Sequence, residues 1–271
     1  MSATVALDAP GGAVGASTNR RELVVAWQHP HERSFHPVGL LRAENGEYTF
    51  RYVEAVRTAP DFAPLLGFER LDEEYRSERL FPIFAQRAMD PRRADYTRYV
   101  ESLGLDPASA TPWEQIARSR GRRQGDTLQL FPVPRVESGT VTCPFLVHGI
   151  RHMPANQPEI RGRVRHVTRS ELDDVIDGLR PGDGLRLEPE PTNRANAEAV
   201  VVVAGDTPLG YVPNLLVRDL HRLMKISPVH ASVVRANGPD APGHLRLLAE
   251  IRAEGARGFR FFQDECWRPL A

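Results

Sequence analysis

The sequence predicts an α+β fold arranged as two small domains. Short apolar or alternating runs recur along the chain, bounded by Gly, Pro, Asn and Asp, the pattern of antiparallel strands joined by turns. Only a few segments have helical spacing, and one of these opens with Thr followed three residues later by Glu. A breaker-rich stretch holding Pro132, Pro134, Ser138 and Gly139 divides the chain near its middle.

Residues 1–20, rich in Ala, Gly and Ser, read as a disordered leader. The first domain, residues 21–133, opens with Leu23-Val24-Val25-Ala26-Trp27 as a strand and His36 to Leu41 as a second. Asn45-Gly46 marks a hairpin, because both positions tolerate positive φ. Tyr48, Phe50 and Tyr52 then alternate on one face of a third strand. Leu80 to Phe84 leads to a helix opened by Asp90-Pro91 and continued from Ala94 to Leu103. Thr111 caps a short helix from Pro112 to Ala117. A basic run, Arg120 to Arg123, precedes an extended segment from Leu128 to Val133.

Residues 134–140 read as a linker, and residues 141–271 as the second domain. Val141 to Ile150 and Glu159 to Val167 are each expected as one strand. Thr168 and Glu171 form a capping box for a helix whose apolar stripe is Leu172, Val175, Ile176 and Leu179. Leu185 and Leu187 share a strand face, and a loop with Pro189, Pro191 and Asn193 follows. Ala199-Val200-Val201-Val202-Val203 is unbroken and β-branched, as for a strand covered on both faces. Gly205-Asp206 turns the chain into Leu209-Gly210-Tyr211-Val212. Asn214 can cap a second helix carrying Leu216, Leu220, Leu223 and Met224. Val229–Val234 and His244–Ala253 read as closing strands, and Phe259, Phe261 and Phe262 as packing material.

The 271 residues contain thirty-five basic and thirty-five acidic side chains. That balance excludes a global positive field, so a nucleic-acid site must be a local patch. Cys143 and Cys266 cannot make a disulfide framework and fit reduced thiols in the cytoplasm. No apolar run approaches the ~20 residues of a membrane span, and no secretory signal is evident. No Walker A motif, kinase catalytic loop, Gly-x-Ser-x-Gly elbow or metal-ligand spacing occurs. The expectation is a protein without enzymatic activity, cofactor or metal.

Arg161, Arg163 and Arg165 stand at period two. On one strand their guanidiniums would emerge from one face, roughly 6–7 Å apart, suited to a phosphate backbone. A solvated face paired with carboxylates is the alternative. Asn193 suits an Asx-type loop bond better than a ligand contact.

Four segments together resemble the HIRAN domain: Arg180-Pro181-Gly182-Asp183-Gly184-Leu185, Glu190-Pro191-Thr192-Asn193, Ala197 to Val203, and Leu209-Gly210-Tyr211-Val212-Pro213. Ala195-Asn196 stands where the family has Tyr-Asp. The resemblance implies a small OB-like β-barrel with two helices in the second half, and a partner in single-stranded DNA or DNA 3′ ends. It makes His148, Arg151 and His152, read as one strand end, candidates for holding a terminal nucleotide. It offers Tyr211 as a stacking face, against a core or rim role. Val38-Gly39-Leu40, Tyr48 to Tyr52 and Phe81 to Phe84 resemble the N-terminal subdomain of HipA-type proteins. That implies an alternative, a regulatory module acting on a HipA-type kinase or other protein partner through the first domain.

Overall fold

The computed structural model describes residues 20–32, 34–123 and 125–270; all but Arg20 of the expected leader lies outside them. The first sheet is built from β1 (Arg21–Gln28), β2 (Phe35–Glu44), β3 (Glu47–Tyr52), β4 (Tyr75–Ser77) and β5 (Leu128–Pro132). Its strands pair antiparallel in the order β4-β3-β2-β1-β5. Asn45 and Gly46 both have positive φ and make the expected hairpin turn. Between β4 and β5 run α1 (Pro82–Ala85), α2 (Tyr96–Ser102) and α3 (Pro112–Ser119). Thr111 and Glu114 form a full capping box at α3, while Asp90-Pro91 lies in a turn ahead of α2 and does not open it.

The second sheet comprises β6 (Arg135–Glu137), β7 (Thr140–Leu146), β10 (Gly184–Pro189), β11 (Val200–Ala204), β12 (Thr207–Tyr211), β13 (Val229–Ala236) and β14 (Leu247–Ala253). Two short strands, β8 (Glu159–Ile160) and β9 (Arg163–Val164), pair as a separate hairpin. The helices are α4 (Met153–Asn156), α5 (Arg169–Gly178) and α6 (Asn214–Met224). The expected linker is not free chain: Arg135–Glu137 pairs with β7. The expected barrel is not closed by a continuous ladder. The strand order β12-β11-β10-β13-β14-β7-β6 is open, and the chain just after β7 meets β12 at one bridge, His148 to Tyr211. Asn214 does not cap α6; it lies in the first turn, and the residue before it, Pro213, makes no side-chain cap.

Burial explains the two unbroken apolar runs. In β11, Val200 and Val202 face the main core, while Val201 and Val203 pack on Ile160 of the β8–β9 hairpin. In β1, Leu23 and Val25 enter the first sheet's core, while Val24 and Ala26 pack with Phe131, Leu215, Phe262 and Trp267. Each run is apolar throughout because both strand faces are covered. The same contacts lock the two sheets together. Leu103 at the end of α2 packs with Leu146, Leu245 and Leu248, and Asn237 Nδ2 donates to the Ser102 carbonyl at 2.8 Å. The C-terminal tail returns to the first sheet, where Pro269 bridges Val53 and the Leu270 amide donates to Tyr52 at 3.0 Å.

Helix α5 follows the sequence closely. Thr168 Oγ1 accepts from the Glu171 amide at 3.2 Å and Glu171 Oε2 accepts from the Thr168 amide at 2.8 Å. Leu172 and Ile176 are fully buried in the main core. Leu172→Ala should therefore lower unfolding free energy by about 2–5 kcal/mol, read as a shifted urea midpoint with unchanged slope. Thr168→Ala should cost clearly less.

Candidate nucleic-acid interface

The site forms where the edge strand β12 touches the chain that leaves β7. The His148 amide donates to the Tyr211 carbonyl at 2.9 Å, and the Tyr211 amide returns to His148 at 2.8 Å. Gly210 permits this approach. A Cβ there would fall inside van der Waals contact with the His148 carbonyl and 2.6 Å from Val147 Cγ1. After His148 the chain does not continue as a strand. Gly149, at φ 70°, turns it into a short 3-10 helix, Ile150–His152.

The loop between β10 and β11 is held by a chain of amides. Asn193 Oδ1 accepts from the Ala195 and Asn196 amides at 3.0 and 3.1 Å, the expected Asx geometry. Asn193 Nδ2 donates to Glu190 at 2.7 Å and to the Tyr211 hydroxyl at 3.3 Å. Asn196 in turn donates to Asn214 Oδ1 at 3.2 Å. Burial, then the adjoining Glu190 carboxylate, raises the Tyr211 hydroxyl far above the usual range, so it stays protonated.

These groups line a cleft of about 770 Å³ together with residues from remote parts of the chain. Phe35 and Phe131 come from the first sheet; Phe262, Cys266 and Trp267 come from the tail. Its polar lining is dominated by neutral amides. Arg218 is the cation in the lining and is paired with Asp264 at 2.7 Å, beside Asp219 and Glu198. The cleft therefore offers ring faces and amides in a slightly acidic surrounding, a chemistry suited to an uncharged heterocycle or hydroxyl and unsuited to a phosphate.

His148 is wedged between the halves. Its Nε2 meets Arg120 Nη1, and its ring lies 6.4 Å from Phe131. Arg120 is buried, adopts φ 62° at the end of α3, and sits 5.7 Å over the Phe131 ring. Burial first, then Arg120 and Arg122, holds the His148 imidazole well below the usual histidine range. His148 is thus neutral, with Nε2 accepting from Arg120.

Of the expected residues, the structure brings His148 and Tyr211 to the cleft. The others are placed differently. Arg151 and His152 are exposed on the 3-10 helix, not on a strand, and Arg151 Nε donates to His152 at 2.9 Å. The arginine stripe does not form. Arg161 and Gly162 take positive φ, 52° and 73°, and make the turn between β8 and β9. The chain reverses there, so Arg161, Arg163 and Arg165 do not share one strand face. Arg161 is held by Glu188 at 2.6 Å and Arg165 lies 3.8 Å from Asp206. Arg163 is exposed and makes no ion pair with the described residues. Gly162 within the apparent strand was the signal for this turn. Asn156, Asn196, Asn214, Phe35, Phe131 and Trp267 were not anticipated, because nothing local in the sequence marks them as neighbours.

Residues 147–254 match the family model of the HIRAN domain. That segment begins just after β7, runs through β14, and contains the His148–Tyr211 bridge and the amide-held loop; it is less than half of the chain. Among solved structures, the HIRAN domain of human HLTF is similar at 14% identity, over 46% of this chain and 98% of that one, with a TM-score of 0.29. No curated protein matches the chain. None of these comparisons supports the resemblance of residues 21–133 to HipA-type proteins.

Acidification should expose the buried imidazoles. His244 is also depressed, to about 4, by burial and then Arg120 and Arg122. On unfolding, both rings regain an ordinary pKa of about 6.5. The unfolded chain then binds more protons, so the stability from keeping them neutral is complete above about pH 6.5 and declines as pH falls below it. His148→Gln should make the urea midpoint fall less between pH 7.5 and 5 than in the parent chain. An unchanged pH slope would show a solvated ring.

Proposed function

We propose that the chain is a nucleic-acid-binding protein without catalytic activity, and that the cleft beside Tyr211 receives the end of a single DNA strand. The cleft itself carries this reading. It lies against the HIRAN-matching segment and combines Tyr211 with the amides of Asn196 and Asn214. Rings accept the face of any base, and side-chain amides can meet base edges or sugar hydroxyls. The carboxylates around Arg218 favour a terminal hydroxyl over a terminal phosphate. The HIRAN match supports a DNA partner at the level of the family. Exposed Arg163 is the member of the arginine trio left to meet phosphate. No observation favours the alternative of a regulator of a HipA-type kinase.

The test is a titration of 5′-labelled single strands ending in a 3′-hydroxyl or a 3′-phosphate, at two salt concentrations. The hydroxyl-ended strand should bind more tightly, with a shallow salt dependence, because few cations are engaged. Absence of single-strand binding at low salt would overturn the proposal. Equal affinity for the two ends would remove its end-recognition part.

A further inference from the structure

We propose that Phe35, from the first sheet, stacks on the nucleotide next to the strand end, so that the binding site extends beyond the HIRAN-matching residues. This rests on the strand-end reading above. Phe35 is the first residue of β2, opposite Gln28 of β1, and the residue is 40% exposed. An exposed ring at a sheet corner contributes little to the core, and here it lines the cleft.

Its neighbours make a continuous track. Phe35 lies 6.3 Å from Phe131 at 82°, and Phe131 lies 6.4 Å from His148 at 51°. His148 is joined through its backbone to Tyr211. Buried Phe131 and half-buried His148 thus link Tyr211, across the junction between the sheets, to a partly open ring that lines the same cleft. Further rings line the same cleft: Phe262 and Trp267, which pack in one cluster with Phe131, lie 4.4 Å apart with a 42° tilt. Phe35, Phe131, Phe262 and Trp267 all fall outside residues 147–254.

A strand whose terminal base rests at Tyr211 and whose chain leaves toward the rim passes Phe35 with its next base. Stacking there is tolerant of sequence, because every base has a π-face.

The test uses the whole chain and two strands ending in a 3′-hydroxyl, one intact and one lacking the base next to the 3′ end. In the parent protein the missing base should weaken binding about tenfold. Phe35→Ala should weaken the intact strand by a similar factor and should no longer distinguish the two strands. Phe35→Trp should restore both the affinity and the discrimination; Phe35→Leu, which keeps apolar bulk without a flat face, should not. Far-UV circular dichroism of each variant checks folding. If the parent protein binds single strands but Phe35→Ala still loses tenfold on removal of that base, this extension is wrong and the strand-end reading stands. If the parent protein binds no single strand, both fail.

Discussion

Two backbone hydrogen bonds, exchanged between His148 and Tyr211, are the constraint on which the second half depends. In a seven-strand sheet with an open order, edge strand β12 would otherwise stay apart from the chain leaving β7. Joining them at one point needs a residue without a side chain at Gly210, where any Cβ would push the partner carbonyl away. It also needs a reason for the chain to turn outward at once, which Gly149 supplies. The junction is therefore a pinch, not a closed barrel. The loop bearing Asn193 hangs over it, anchored to the same tyrosine through its hydroxyl.

The two sheets have separate cores but do not behave as beads on a string. β1 is apolar on both faces because the outer face meets Leu215, Phe262 and Trp267. Arg120 reaches from the end of α3 to His148, bringing a buried cation against a neutral imidazole. Such a contact survives only while the ring stays unprotonated, since a second positive charge there would be desolvated and repelled. The tail then crosses back and pairs with Val53 and Tyr52. Three segments remote in sequence consequently wall one cleft.

Local chemistry was legible in the sequence wherever a rule acts within a few residues. The N-cap at Thr111, the capping box at Thr168, the Asn45-Gly46 turn, the buried valine run and the Asx bond of Asn193 all follow from such rules. The arginine stripe failed for a reason equally local. The period-two spacing spans Gly162, a residue that lets the backbone reverse. The cleft was legible only in part. His148 and Tyr211 came from family resemblance, but Phe35, Phe131 and Trp267 reach them through packing between sheets, which no spacing in the chain encodes. The aromatic tail was expected to pack onto a domain. That it packs between two sheets, and lines a cleft in doing so, is a property of the fold.

The two cysteines end up in opposite surroundings. Cys143 is buried in the main core, and burial raises its thiol far beyond the reactive range; Cys266 is exposed on the cleft wall beside Trp267. Burial and then Asp264 raise the Cys266 thiol as well, so at mildly alkaline pH a maleimide fluorophore should attach once per chain, at the tail, without any engineered residue. The native sequence already carries a reporter position against the aromatic wall, where entry of any guest would alter the dye's emission.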